Sequence, residues 1–342
     1  MDRTQMPMNE AKMSLNGADK KTTDVTVVIP NYNGLDYLKR CLRSLWTGTL
    51  LPLVYVVDNG SKDGSVLWVR EHYPTVKLIE MGENTGFCCA VNAGIKAADT
   101  DYVILLNNDT VVGRHFVAEL LGTIRPDERI FSVGAKMVTM DAPDIIDDAG
   151  DYYCALGWAF AWGKGQPADR YTKARDIFAA CAGAAIYRKR MVEELGYFDE
   201  AHFAYLEDID IGYRAQLAGY INRFTPRAVV RHAGSGASGS RYNDFKTDMT
   251  SRNSVYLIYK NMPIGQIILN LPLLMIGFGV KWAFFVRKGM GRGYLKGLWK
   301  GVLLSSSPEG RAKKVFFQRE NLSRYLSVQG QLYVNIIRRF IS

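Results

Sequence analysis

Apolar runs of strand length alternate with segments of helical spacing through the first third of the chain. "VTVVIP" (25–30) is followed by "LDYLKRCLRSLW", in which Leu35, Leu38, Leu42 and Leu45 recur on one helical face before a stop at Gly48. "LVYVVD" (53–58), a polar turn with a short helix, "VKLIEM", and a glycine-bounded helix over about 87–97 come next. "YVILLN" (102–107) and a helix from about 114 complete the series. Strands apolar on both faces and separated by helices predict an α/β fold with a mostly parallel, Rossmann-like sheet covered by helices on both faces. Ligands of such sheets bind beyond the carboxyl ends of the strands. Two polar clusters fall at that edge, "DNGSKDGS" from Asp58 and "NNDT" from Asn107.

The stretch 130–187 mixes short β-like runs with glycine and aromatic residues, as in "GWAFAWGKG", and reads as hairpins that shape a substrate region. The pattern changes again beyond 254. "IGQIILNLPLLMIGFGVKWAFFV" (264–286) approaches membrane-crossing length but is interrupted by Gln266, Asn270, Pro272 and Lys281. A pair of interfacial or re-entrant helices followed by a basic stretch is expected there. The chain thus divides into a disordered N-terminal tail (1–23), an α/β domain (24–255) and a helical, apolar and basic membrane-associating region (256–342).

Charge sharpens that division. The net charge is +9, yet from Lys281 onward thirteen lysines and arginines face only Glu309 and Glu320, an excess of +11 that leaves −2 for the rest. The tail therefore points to an anionic membrane surface and not to nucleic acid, because an apolar segment leads into it. Five cysteines without a Cys-x-x-Cys pair argue against a disulfide framework or zinc site, and no signal peptide is evident; a cytoplasmic location is expected.

Among candidate motifs, Gly234, Gly236 and Gly239 match G-x-G-x-x-G spacing, but the polar "SRYNDFKTD" that follows opens no βαβ unit. No phosphate-binding G-x-x-x-x-G-K-[ST] loop occurs. Asp109, among Asn107, Asn108 and Thr110, offers oxygen ligands suited to Mg2+ or Mn2+ alongside substrate phosphates, although Asn and Asp also end strands as turns. Asp58 carries the same two readings. His232 ends the run "RAVVRH" and can complete an O/N metal shell with Asp109. Asp208, in "YLEDIDIGYRA", can cap a helix over about 209–218 that stops at Gly219, and can also take a proton from a hydroxyl.

Taken together, "VVIPNYNG", "VDNGSKDGS", "NTGFCCAVNAGI", "LLNNDT", "GYFDEAHFAYLEDIDIGYRAQLAGY" and "RHAG" resemble glycosyltransferase family 2, in particular its bacterial rhamnosyltransferase-like branch, over about 25–260. The resemblance implies a GT-A fold and inverting, metal-dependent sugar transfer from a nucleotide diphosphate donor, dTDP-rhamnose or a UDP-sugar, to a lipid-linked glycan acceptor. It implies that Asp58 binds the donor base beside Pro30 and Tyr32. Asn84 and Asn92 hold the donor, Asn107 and Asn108 face ribose and diphosphate, and Asp109 and His232 ligate Mg2+ or Mn2+. Asp208 is the implied base, with Glu207 and Asp210 supporting it or contacting acceptor. The metal triplet begins with Asn107 where the family commonly has Asp, and the Gln-x-x-Arg-Trp signature of processive synthases does not follow Asp208; one sugar per encounter is expected. A catalytically silent sugar- or lipid-binding protein is the alternative on the same fold.

Overall fold

The computed structural model describes residues 24–234 and 243–341. The expected tail at 1–23, and Gly236 and Gly239, lie outside the described residues.

The first half follows the predicted alternation: β1 (Val25–Asn31), α1 (Leu35–Trp46), β2 (Leu53–Asp58), α2 (Ser65–His72), β3 (Lys77–Glu80), α3 (Phe87–Ala97) and β4 (Tyr102–Leu106). β3, β2, β1 and β4 pair in parallel in that order. Alternate residues serve opposite layers. Val25, Val27 and Ile29 of β1 pack with Leu38, Leu42 and Leu45 of α1, while Val28 packs with Val91 and Ile95 of α3. Helices cover both faces for this reason.

Next come β5 (Thr110–Val112), α4 (Phe116–Ile124), β6 (Ile130–Thr139), β7 (Ile146–Asp148), β8 (Asp151–Cys154), β9 (Trp158–Ala161), β10 (Arg175–Ile177) and β11 (Ala184–Arg188). The expectation of hairpins over 130–187 holds for β8–β9, a separate two-stranded sheet, and for β6 with β7, which pair antiparallel. β6 and β11 enter the main sheet, β11 as the antiparallel strand between β4 and β6. After α5 (Lys189–Glu194) and α6 (Glu207–Ala218), β12 (Ile221–His232) lies parallel to β6 and pairs with β5 at its far end.

The last helices are α7 (Asp244–Asn261), α8 (Ile264–Arg287), α9 (Gly291–Ser306), α10 (Pro308–Ala312) and α11 (Leu322–Ile341). The expected division at 255/256 falls inside α7. Residues 264–287 form one helix, and Pro272 does not break it into a pair. Its packed side is the polar one. Gln266, Asn270, Leu274 and Gly277 are buried, and Gln329 of α11 donates to Asn270 and accepts from both Gln266 and Asn270. Ile268, Met275, Ile276 and Val280 face outward, each more than half exposed. Sequence polarity had suggested interruption; in the structure the polar residues are the glue between helices.

Candidate active site

Three parallel strands end side by side and place their polar residues in register. Asn31 of β1 stands opposite Asp58 of β2. Its side-chain amide donates to Asp58 at 3.1 Å, and its carbonyl oxygen accepts from Asn108 at 2.7 Å. A Cβ at Gly34 would collide with the Asn108 amide, so glycine there keeps this chain intact. Asp58 and Asn108 are buried, Tyr32 is exposed and Pro30 half-buried at the rim. Sequence reasoning missed Asn31, which links the two predicted donor-side residues.

Asn84 lies on the neighbouring loop, where its oxygen accepts from Asn59 and from the Gly86 backbone. Gly86, at φ +89°, admits the close approach of the Phe203 ring and carbonyl. Asn92, expected to help hold the donor, is only 1% exposed; it donates to the Phe198 carbonyl and to Glu200 and accepts from the Phe198 N–H, so its amide pins α3 to the chain before α6.

Strand pairing also explains how residues 109 and 232 meet. His232 of β12 is opposite Thr110 of β5, and Asp109 Oδ1 lies 3.2 Å from His232 Nε2. On the ring's other side, Nδ1 is 2.7 Å from Asp147, itself 2.6 Å from Lys164 Nζ. Burial opposes a charge on His232, but the bonds to Asp109 and Asp147 prevail and raise its pKa to about 9. A carboxylate that grips one imidazole nitrogen and turns the other toward a second carboxylate is the usual support of a metal-binding histidine. Asp109 and His232 fit a hard divalent cation on this chemistry, with Asp147 orienting the ring.

The adjoining acids lead to Asp208. Asp148 accepts from the Gly150 N–H at 2.6 Å; burial, and then the charge of Asp147, push it to about 7. Asp151, Asp148 and Cys181 bring their ligand atoms within 4.8 Å of one another. Asp151 is raised well above the carboxylate range by burial and by Asp148 and Asp208, and its carboxyl bonds Asp208. Asp208 is also raised by burial, an effect reduced by bonds from the Ile209 N–H and from Asp151. Two carboxyls in contact resist ionising together, and both are raised, Asp151 the further. Asn107 abuts the same group through Gly183, whose carbonyl accepts its N–H at 2.8 Å. Asp147, Asp148 and Asp151 were missed in sequence, although "DDAGD" concentrates acids within an otherwise apolar stretch.

Asp208 does not cap a helix that starts at residue 209. α6 begins at Glu207, and the position before it, Leu206, has left-handed backbone at φ +66°. Phe203 and Tyr205 are also left-handed, at +61° and +71°. Three such non-glycine residues in four store strain of the kind found where a side chain must be aimed. Asn253 of α7 holds the turn by donating to the carbonyls of His202, Ala204 and Tyr205.

Glu207 is buried, and burial together with the charge of Asp208 raises it to about 8, which makes it a neutral acid beside Asp208. Asp210, expected to support the base or contact acceptor, is wholly buried, which places it on the supporting side of that alternative. It accepts from Arg214 at 2.7 Å, Lys260 at 2.8 Å and Asn261 at 2.8 Å. Burial favours its neutral form, but Arg214 and Lys260 hold it far below the usual range. Lys260 also reaches Asp199 at 2.7 Å, so its ammonium occupies the place a cation would take among Asp199, His202 and Asp210. His202, buried with neither nitrogen bonded among the described residues, is kept neutral by burial, at about 4.

Comparison with known proteins agrees with this architecture. A rhamnosyltransferase of Mycobacterium tuberculosis (strain ATCC 25618 / H37Rv), N-acetylglucosaminyl-diphospho-decaprenol L-rhamnosyltransferase, is 28% identical over 64% of this chain and 78% of its own. Among solved structures, the Pyrobaculum calidifontis mannosyltransferase PcManGT, in complex with GDP-Man and Mn2+, superposes with a TM-score of 0.52 at 17% identity, over 91% of this chain and 85% of that one. S. aureus TarS 1-349 in complex with UDP-GlcNAc gives 0.56 at 16% identity, over 90% of each chain. The signature of glycosyl transferase family 2 matches residues 26–196, and the chain belongs to that family.

Proposed function

We propose that this protein is a non-processive, inverting glycosyltransferase that moves one sugar from a nucleotide diphosphate donor to a lipid-linked glycan acceptor in bacterial cell-surface polysaccharide synthesis. Rhamnose from dTDP-rhamnose is the first candidate and a UDP-sugar the second, motivated by the rhamnosyltransferase relative and the nucleotide-sugar-bound neighbours. The observation that carries the reading is the contact chain from Asp109 through His232, Asp147, Asp148 and Asp151 to Asp208. It joins a place for a cation to a hydrogen-bonded base.

Asp58, with Asn31 and Asn108, would seat the donor base and ribose, and Tyr32 would flank the base at the rim. Asp109 and His232 would hold Mg2+ or Mn2+, whose charge offsets that developing on the departing nucleotide diphosphate. Asp208 would accept the proton of the acceptor hydroxyl as the oxygen attacks the anomeric carbon, while the bond to the nucleotide diphosphate breaks on the opposite face. The bond from Asp151 favours the ionised form of Asp208, and Glu207 adds no charge at neutral pH. No enzyme nucleophile is required.

The outward apolar side of α8, with the basic residues after it, supports peripheral attachment to the inner face of the cell membrane. Asp208→Asn is expected to cut transfer by about 10²–10⁴-fold with donor affinity kept; a nucleotide-sugar screen on native lipid extract, followed by titration of the donor, measures both. Turnover retained in the variant refutes the assignment of the base. Donor binding by Asp109→Ala that responds to Mn2+ as wild type does refutes the metal ligands.

A further inference from the structure

Outside the acidic site, a cavity of about 670 Å3 is lined by Trp162, Gln166, Arg170, Tyr171, Arg175, Arg338, Phe340 and Ile341. Three guanidinium groups converge on it, and among the described residues none of them has a carboxylate within ion-pair distance. Arg175 stacks on the Trp162 ring at 3.7 Å, Arg338 bonds Asn335 and lies over Tyr152, and Arg170 donates to the Gln166 side-chain oxygen. Their donors are held by aromatic faces and amides and are not neutralised. Guanidinium groups arranged in this way match phosphate oxygens, which accept paired N–H donors from one planar fork.

Two neighbours narrow the ligand. Phe340 and Ile341, 71% and 78% exposed, carry the outward apolar edge of α11 into the cavity wall, so a bound anion would sit beside hydrocarbon. Trp162 donates to the Gly150 carbonyl and accepts from the Ala149 N–H, and its neighbour Ala161 pairs with Asp151, which bonds Asp208. The strand that leads into the cavity wall thus pairs, one strand spacing of about 5 Å away, with the strand that carries Asp151.

We infer that Arg170, Arg175 and Arg338 form a binding site for the phosphate-bearing group of a membrane lipid, placed to hold the diphosphate of a prenyl-linked acceptor while its sugar reaches Asp208. This rests on the acceptor reading above, but its test needs no turnover. Farnesyl diphosphate and farnesol are titrated calorimetrically into the full chain in EDTA, which silences diphosphate binding that depends on a divalent cation. The wild type is expected to bind the diphosphate at least tenfold more tightly than the alcohol. The Arg170→Gln/Arg175→Gln/Arg338→Gln variant should lose that difference, and Asp109→Ala should keep it. A parallel flotation with phosphatidylglycerol and phosphatidylcholine vesicles separates the sources: loss on farnesyl diphosphate assigns the site to substrate, loss on phosphatidylglycerol alone to a lipid headgroup, and both uphold a phosphate site. Undiminished discrimination by the triple variant in both assays overturns it. The single exposed Arg175→Gln, expected to melt with wild type, repeats the measurement should the triple variant fold poorly. A chain that binds as described yet transfers no sugar refutes the enzyme reading and leaves the pocket standing.

Discussion

Asp208 carries out its proposed task only when ionised, and burial works against that. Bonds from the Ile209 N–H and from Asp151 oppose the effect of burial and favour the carboxylate. Removing the donor by Asp151→Ala should move the acid limb of kcat/KM upward by about one pH unit, the scale of one charge-assisted bond. Asp151→Asn, whose amide still donates, should restore most of the position; a limb that moves equally in both variants would show that shape and not the bond matters. Glu207 makes a second prediction with a definite sign. Its folded pKa of about 8 exceeds that of the unfolded chain, so the native state holds a proton that unfolding releases. Stability from this group is therefore lost as pH rises from about 4.5 to 8. Glu207→Gln should melt with wild type near pH 4 and several degrees higher near pH 8.5, as thermal scans at the two pH values will show. Both residues were visible in sequence as acids among apolar neighbours. What was not visible is that their environment gives Asp208 a hydrogen-bonding partner and leaves Glu207 a neutral acid, since the first depends on Asp151 arriving from a hairpin far along the chain.

At the scale of elements, the first half was legible because strands and helices there are cut to length by glycine and polar turns, and two buried faces leave near-continuous apolar runs. The region 130–187 was not, because β6 and β11 leave local order to join strands distant in sequence. Asn92 and Asp210 are both buried and bonded to the scaffold, which sequence does not reveal, since a polar residue in a motif can serve the scaffold that aims the site as easily as the site itself. α7 supplies that scaffold, through Asn253 on the strained turn and Lys260 between Asp199 and Asp210. Lys260→Met would leave buried Asp199 without its cation and Asp210 with Arg214 alone, a loss expected to cost about 3–5 kcal/mol in urea unfolding. Asp199→Asn added to it should recover part of that loss. An unchanged unfolding midpoint in Lys260→Met would mean the acids find other partners.

For the molecule as a whole, the same α7 makes a truncation at 255 unsuitable for isolating a catalytic unit, because Tyr256, Lys260 and Asn261 complete the core beneath α6. The helices beyond it build a surface that a soluble monomer has little reason to keep. Gly297 and Gly301 of α9 allow a close approach to α7, where a Cβ would collide with Ser251 and the Arg252 carbonyl, so small residues face inward. Outward lie Leu295, Trp299 and Leu303 of α9, Ile268 and Met275 of α8, and Ile337 and Phe340 of α11, all between 48% and 71% exposed. Basic residues Arg287, Lys288, Arg292 and Lys296 lie between or beside these patches in sequence. Apolar insertion and attraction to anionic headgroups should therefore add, and each is separately removable. Replacing Ile268, Met275 and Ile337 by glutamate removes about 1.5–3 kcal/mol of apolar transfer per site. That is enough to reduce flotation with phosphatidylglycerol vesicles more than tenfold, even in low salt. Transfer to a water-soluble analogue of the acceptor should be unchanged, since none of the three residues lies in the acidic site. Raising the salt concentration with wild type should weaken flotation only in part, because screening acts on the charges and leaves the apolar contact. Vesicle binding that survives the glutamates but vanishes in salt would make the surface purely electrostatic and refute the insertion of α8.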